Sequence, residues 1–304
     1  MLDTIRVKFP IAPTDEQLKG WTKRTTTTTT GINTVYIYNP VVGETTLRFT
    51  FRPVDYTGNP MLSLECSLPK LVFDNNYQML GSIDGTIKMA NIQLADILHV
   101  PHLDIAEGQL IRLDMCYNHQ VGDMVNDYIK ALGNLDYPHR RTKYHIREGA
   151  EFRAKHKTTK FYDKEHESGL MEAHGILRQE ITLMDPKDIQ KFVGKSKPTL
   201  MDISREQVKE VLQNDLEKLG LLNNSIANRD TAFEMLCNTH GEHGGIYYYG
   251  LWVGKAQKSR KQLAKESKTH PRSIDRTLRK IVETGIPLTF TDREEPLPPL
   301  TIEL

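Results

Sequence analysis

The stretch Ile111-Arg112-Leu113-Asp114-Met115-Cys116-Tyr117 places polar and apolar side chains in alternation. Successive side chains of a β-strand point to opposite faces of a sheet, so Arg112, Asp114 and Cys116 are predicted to share one face. The intervening residues are predicted to share the other face. Further strands, rich in β-branched and aromatic residues, are predicted at residues 34–38, 45–52, 61–68 and 175–183. The threonine run at residues 25–30 is predicted to be a loop or an extended edge strand.

The pattern of the chain changes near Asp185-Pro186. Ser204 is typical of a helix N-cap, and the helix that it begins is predicted to end at Gly220. Beyond that glycine the spacing of apolar residues is largely helical, up to an irregular proline-rich tail. The sequence therefore predicts an α+β fold, with an antiparallel-sheet domain at residues 1–195 and a mainly helical domain at residues 196–304.

Charge is distributed unevenly, although the 304-residue chain has a net charge of only +1. Lysine and arginine outnumber acidic residues at residues 140–164 and again at residues 255–280. Such basic blocks are typical of surfaces that bind polyanions, because each neutralised phosphate releases counterions. One block alone would be read as a solvated face. Two dense blocks in a nearly neutral chain favour nucleic acid as the partner.

Other features exclude a membrane or secreted protein. No apolar run approaches the ~20 residues that a bilayer span needs. The N-terminus has an early acid, Asp3, and no long apolar segment, unlike a secretory signal. Three widely spaced cysteines are too few for a disulfide framework and indicate a reducing compartment. The sequence therefore predicts a cytoplasmic protein.

A candidate nucleophile, Tyr162, lies in the charged run Lys160-Phe161-Tyr162-Asp163-Lys164-Glu165-His166-Glu167. A phenol is a weak nucleophile at neutral pH, because its ordinary pKa is about 10. A base, a cation or a metal ion must help it to lose its proton before it attacks a phosphodiester. Lys164 could stabilise the phosphate and His166 could carry a proton. The alternative is a half-buried strand tyrosine among solvated charges, and Tyr144 is a second, weaker nucleophile candidate.

Three carboxylates, Glu65, Asp114 and Glu180, lie on predicted strands. If these strands share one sheet, the carboxylates could converge on Mg²⁺ or Mn²⁺, which prefer oxygen ligands. The alternative is that each carboxylate pairs with a nearby arginine or lysine. Residues 237–243 contain a cysteine and two histidines, but a zinc site normally needs four ligands. This segment is therefore predicted to be a polar, glycine-rich turn.

The segment 260–282 has the layout of two short helices joined by a turn at residues 268–270. Pro271 suits the first turn of the second helix. Apolar residues then recur at helical spacing, at Ile274, Leu278 and Ile281. A helix-turn-helix has this pattern, and its second helix can enter a DNA major groove. Any basic helical hairpin has the same pattern. The arginines available for DNA on the second helix are Arg272, Arg276 and Arg279.

Taken in order, these features resemble the gene II replication initiators of filamentous phages and their plasmid relatives. The resemblance covers most of the chain and rests on residues 1–10, 64–71, 75–76, 112–114, 161–164, 177–180 and 283–287. It implies an HUH-like nuclease domain in which the His motif is degenerate, because the His-hydrophobic-His pair of the wider group of initiators is missing. The helical domain is then expected to help recognise origin DNA.

The resemblance implies rolling-circle replication in the cytoplasm of a bacterial host. Tyr162 would cut one origin strand, leaving a 5′-phosphotyrosine and a free 3′-hydroxyl, and Mg²⁺ would polarise the phosphate. Double-stranded and single-stranded origin DNA are the implied partners, with a host helicase and a homodimer as further candidates. Two alternatives are a DNA-binding regulator without catalysis and a plasmid-mobilisation relaxase. The DNA contacts expected in the catalytic domain are Arg112, Arg140, Arg141, Lys143, Lys160 and Arg178.

Overall fold

The computed structural model describes residues 1–28, 31–55, 58–137, 139–145, 148–258 and 260–303. The fold is α+β, with a large antiparallel sheet and a helical C-terminal region, which confirms the predicted fold class at that level. The chain forms two compact units. The first comprises Met1–Cys116 and Ile181–Val208, and the second comprises Tyr117–Glu180 and Lys209–Leu304. Each unit is therefore built from two pieces of chain, whereas the sequence pattern predicts a single boundary near residue 195.

The described strands are β1 (Leu2–Phe9), β2 (Thr22–Thr28), β3 (Gly31–Tyr38), β4 (Val41–Val42), β5 (Thr45–Thr46), β6 (Arg48–Arg52), β7 (Met61–Ser67), β8 (Gln109–Gln120), β9 (Arg141–His145), β10 (Gly149–Arg153), β11 (Lys157–Asp163) and β12 (Ile176–Leu183). The described α-helices are α1 (Asp15–Leu18), α2 (Leu68–Phe73), α3 (Ile83–Ala95), α4 (Val125–Gly133), α5 (Lys164–Ser168), α6 (Pro186–Val193), α7 (Arg205–Lys218), α8 (Arg229–Gln257), α9 (Arg260–Glu266) and α10 (Pro271–Glu283).

In the first unit the described strands follow the order β2-β3-β6-β7-β1-β8 and pair antiparallel. Strand β1 shows how the sheet is stabilised. Ile5 and Val7 are fully buried on one face, whereas Arg6 and Lys8 are partly exposed on the other. Helix α2 packs against β1 and β7. The threonine run contributes to the edge strand β2, and its last members, residues 29–30, lie outside the described residues.

In the second unit, β12, β11, β10 and β9 are neighbours in that order. Helix α4 packs against β10 and β11, where Phe152 and Phe161 are fully buried with ring centroids 6.3 Å apart. The proline-rich tail is irregular, as predicted, but it packs against other residues of the second unit. Leu297 and Leu300 are buried and form bridges with Ile226 and Leu222, so the tail belongs to the packed unit.

The C-terminal helices of the second unit share a core that includes Trp252 and the apolar residues of α10. The turn predicted at residues 237–243 is confined to Gly241, where two helical segments of α8 meet at a kink, and the residues on either side of it are helical. Gly241 alone departs from helical geometry there, with a φ of 74° that favours glycine. After this break Gly245 lies against the preceding helical segment, and a Cβ atom on it would come within 2.6 Å of Cys237 Cα.

Candidate active site

Tyr162 lies near the end of β11, and its side chain is partly buried. Its hydroxyl donates a hydrogen bond to Oε2 of Glu180 over 3.0 Å. Glu180 lies on the neighbouring strand β12, in the same unit, and is 8% exposed. The pairing of these two strands therefore brings the phenol to a carboxylate that can accept its proton.

Two lysines lie beside this pair. Lys160 Nζ is 3.6 Å from Oε1 of Glu180, and 42% of the lysine side chain is exposed. Lys164 Nζ is 5.7 Å from the centroid of the Tyr162 ring, forms an ion pair with Glu167, and is fully buried. In this conformation Lys160 is accessible to a phosphate, whereas Lys164 is a buried cation beside the tyrosine ring.

Helix α5 begins directly after the tyrosine strand. The Asp163 carboxylate accepts a hydrogen bond from the backbone N–H of His166, which caps the helix. The imidazole of His166 is exposed, and among the described contacts it is not joined to Tyr162. His166 was predicted to carry a proton. Its described hydrogen bond instead comes from its backbone N–H, and no described contact joins its imidazole to the phenol of Tyr162.

A second histidine, His174, was not identified from the sequence. Its Nδ1 lies 2.7 Å from Oε2 of Glu165, and its Nε2 lies 3.2 Å from Oδ1 of Asp123. The hydrogen bonds to Glu165 and then Asp123 raise the pKa of His174 above its ordinary value. His174 thus joins α5 to the turn before α4, and this role depends on contacts between residues far apart in sequence.

The other predicted carboxylates, Glu65 and Asp114, lie in the first unit and meet the same arginine. Arg112 Nη1 is 2.7 Å from Oε1 of Glu65, and its Nη2 is 2.7 Å from Oδ2 of Asp114. Arg6 also donates to Glu65, with Nε 2.6 Å from Oε2. Arg112 and Asp114 therefore share a face, as the alternation predicts. The contact to Arg6 was not identified from the sequence.

These carboxylates do not fit a divalent metal in the described conformation. Their oxygen atoms are suitable ligands for Mg²⁺ or Mn²⁺, but the guanidinium group of Arg112 is bound to both carboxylates and would repel a second cation. Glu180 is engaged by Tyr162 and Lys160. Within the described ranges no group of three or more His, Cys, Asp or Glu residues is arranged to hold a metal ion.

The arginines and lysines predicted to contact DNA in the sheet region differ in exposure. Arg178 is fully buried, and the side chain of Arg140 is only 7% exposed. Arg141 and Lys143 are exposed on β9. Only the exposed side chains can contact a phosphate without rearrangement of the protein. Arg140 and Arg178 are buried in this conformation, so they are not available to contact DNA.

Arg140 belongs to a buried polar network around Asp215 of α7, which the sequence did not predict. The Asp215 carboxylate accepts hydrogen bonds from the Tyr137 hydroxyl at 2.7 Å and from Arg140 at 3.3 Å. Lys157 Nζ lies 3.7 Å away. Burial lowers the pKa of Lys157, and the Asp215 charge acts in the opposite direction. Helical spacing cannot distinguish this buried aspartate from a solvated one.

Helices α9 and α10 pack together and against α8, with residues 267–270 between them. Ile274, Leu278 and Ile281 are buried, as the spacing predicts. His270 caps α10, because its Nδ1 accepts a hydrogen bond from the backbone N–H of Arg272 at 3.2 Å. The predicted DNA-contacting arginines are exposed on this helix, at Arg272, Arg276 and Arg279.

No protein-family model matches the chain, and no curated protein is significantly similar to it. None of the described helices combines the length and the apolar character that a bilayer span requires. The chemistry of the site must therefore be inferred from its side chains.

Proposed function

We propose that this protein is a DNA nickase and strand transferase that initiates rolling-circle replication, with Tyr162 as the nucleophile. The observation that carries the proposal is the hydrogen bond from the Tyr162 hydroxyl to Glu180 at 3.0 Å. The carboxylate can accept the phenolic proton while the oxygen attacks phosphorus. The accessible ammonium group of Lys160 can stabilise charge on the phosphate. The resemblance to gene II initiators supports the same reaction class.

In the proposed reaction, the Tyr162 oxygen bonds to phosphorus and the bond from phosphorus to the 3′ oxygen breaks. The phenolic proton passes to Glu180, and the leaving 3′ oxygen takes a proton from water. Glu180 then returns its proton to the solvent, so the products are a 5′-phosphotyrosine and a free 3′-hydroxyl. The reverse transfer closes the displaced strand. No ATP is needed, because the covalent link retains the energy of the broken bond.

The resemblance to gene II initiators implies a divalent cation, Mg²⁺ or Mn²⁺, that would polarise the scissile phosphate, but Glu65, Asp114 and Glu180 offer it no site in the described conformation. No step is assigned to it, because Arg112 is bound to Glu65 and Asp114 in the described conformation. Its role is tested by measuring nicking with Mg²⁺, with Mn²⁺ and with EDTA. A reaction that persists unchanged in EDTA would assign phosphate stabilisation to protein cations alone.

The decisive experiment compares nicking of supercoiled DNA from the protein's own replicon by three variants. Tyr162→Phe is expected to abolish both the nick and the covalent protein–DNA adduct. Glu180→Gln keeps the shape of the side chain but removes the base, and we expect nicking to slow by roughly 10²- to 10⁴-fold. Tyr144→Phe is the matched control and should nick at the wild-type rate. Peptide mapping identifies the modified tyrosine, and undiminished nicking by Tyr162→Phe would refute the proposal.

A second candidate function is sequence-specific DNA binding without catalysis. It is favoured by the exposed arginines of α10, which have the spacing of a recognition helix (Arg272, Arg276 and Arg279). Tight duplex binding with neither a nick nor an adduct would select this function. Replacing these three arginines with glutamine should then abolish binding to specific DNA.

A further inference from the structure

One face of the sheet in the first unit carries cationic side chains on neighbouring strands. Arg6 is directly opposite Arg112 on one side and Glu65 on the other, and Arg48 is also opposite Glu65. Strand alternation places further cations on this side of the sheet. The cationic residues of this basic face are Arg6, Lys8, Arg24, Arg48, Arg52 and Arg112.

The basic face has an excess of positive charge. Its two carboxylates, Glu65 and Asp114, are already bound by Arg112 and Arg6. The remaining cations are Lys8, which is partly exposed, and the exposed Arg24, Arg48 and Arg52. Within the part of the chain that the structure describes, none of these four has an ion-pair partner. Their charge is therefore free to attract an anionic ligand.

Hydroxyl groups lie between the cations. Thr22 is opposite Ile37, Ile37 is opposite Thr50, and Thr50 is opposite Ser63, which is opposite Lys8. This row therefore crosses the sheet from β2 to β1 with three hydroxyl side chains and one ammonium group. Serine and threonine hydroxyls, like lysine and arginine, are common donors to the phosphates of nucleic acids.

The width of the basic face excludes its insertion into a groove of duplex DNA. Strands lie about 4.8 Å apart, so the five steps from β2 to β8 span about 24 Å. A DNA major groove is only about 12 Å wide, so this surface cannot enter it to contact bases. A flexible single strand can instead follow the surface and bring successive phosphates to the separate cations.

We infer that the basic face binds the sugar–phosphate backbone of single-stranded DNA. Among the described strand residues, the face carries no aromatic ring for base stacking, since Tyr36, Phe49 and Phe51 belong to the opposite side of their strands. Binding should therefore be independent of sequence and strongly dependent on salt. The inference concerns binding alone and does not require the nicking reaction, although the proposed function would supply such a strand.

The test measures binding of fluorescent oligo(dT) across a salt series, in a Tyr162→Phe background so that no strand can be cut. The variant combines Arg24→Gln, Arg48→Gln and Arg52→Gln. Each lost phosphate contact on a single strand lowers the log–log salt slope by roughly 0.7, so we expect a decrease of about 2 together with weaker binding. The matched control removes three exposed charges of the same unit that lie outside the sheet, at Lys187, Lys191 and Lys197.

An equal change of slope in the variant and the control would overturn the inference, because net charge alone would explain it. A loss confined to duplex DNA would overturn it too, as would equally effective competition by poly-glutamate, which would indicate an acidic protein as the partner. Tryptophan fluorescence, to which Trp21 of the first unit contributes, should be the same in the variant, the control and the wild type. Salt-dependent oligo(dT) binding through this face, in a wild-type protein that does not nick, would support the inference and reject the proposed function.

Discussion

His119 makes the folding of the second unit sensitive to acid. It lies on β8, is 4% exposed, and its Nε2 is 3.2 Å from Oε1 of Gln179. Burial lowers the pKa of the imidazole from 6.5 to about 4, against opposing hydrogen bonds to Gln179 and the Thr301 backbone. Between these two pKa values the unfolded chain binds a proton that the folded unit does not. The stabilisation is therefore complete above pH 6.5 and is lost as the pH falls towards 4.

The size of the effect follows from the two pKa values. For an unfolded pKa of 6.5 and a folded pKa of about 4, lowering the pH from 7 to 4.5 costs about 2.5 kcal/mol of unfolding free energy. His119→Gln removes this titration while keeping a polar side chain that can meet Gln179. Over the same pH interval, the unfolding free energy of the variant should fall by about 2.5 kcal/mol less than that of the wild type, whatever the stability of the variant at pH 7.

Urea unfolding measures this difference. The chain has two tryptophans, and in a Trp21→Phe background Trp252 is the remaining one and reports on the second unit. Trp252 is fully buried, so its fluorescence should change on unfolding. Other carboxylates and histidines titrate equally in both proteins and cancel in the comparison. Identical losses of stability in the two proteins between pH 7 and pH 4.5 would refute the assignment to His119.

Three further predictions concern the second unit and use the same fluorescence assay. Asp215→Asn should lower stability by about 3 kcal/mol, because it leaves the buried Arg140 and the partly buried Lys157 without their anion; a change below about 1 kcal/mol would contradict this. Gly245→Ala should cost about 1–3 kcal/mol, since its Cβ would meet Cys237, whereas Gly250→Ala, with open space around it, should be neutral or stabilising. His270→Ala should cost about 1 kcal/mol through loss of the α10 cap, and His270→Asn should restore it.

Features that depend on local periodicity could be predicted from the sequence. The alternation around Arg112 and Asp114 correctly predicted a strand with both residues on one face, because side-chain direction in a strand has a fixed period. The spacing of apolar residues in α10 correctly predicted its buried face. The chain does break at Gly241, as the glycine-rich sequence indicated, but the predicted turn was too long because the residues on both sides of Gly241 are helical.

Features that depend on which segments become neighbours could not be predicted in this way. Tyr162 meets Glu180 only because β11 and β12 are adjacent, and no property of either segment alone specifies that pairing. Arg140 was expected to contact DNA because it lies in a basic block. It is buried because Asp215, 75 residues further along the chain, supplies a partner. Residue type indicates charge, but only the fold determines whether that charge is exposed.

The two-piece construction of each unit has a consequence for synthesis on the ribosome. The first unit cannot be completed until Ile181–Val208 has left the ribosome. By then Tyr117–Glu180 has also been synthesised, but the rest of the second unit, which begins at Lys209, has not. The second unit in turn needs Leu297 and Leu300, which are synthesised long after Glu180. Folding of the second unit is therefore expected to finish only after Leu300 has left the ribosome. A nascent chain that stops near residue 195 would lack part of both units and would be a substrate for chaperones and proteases.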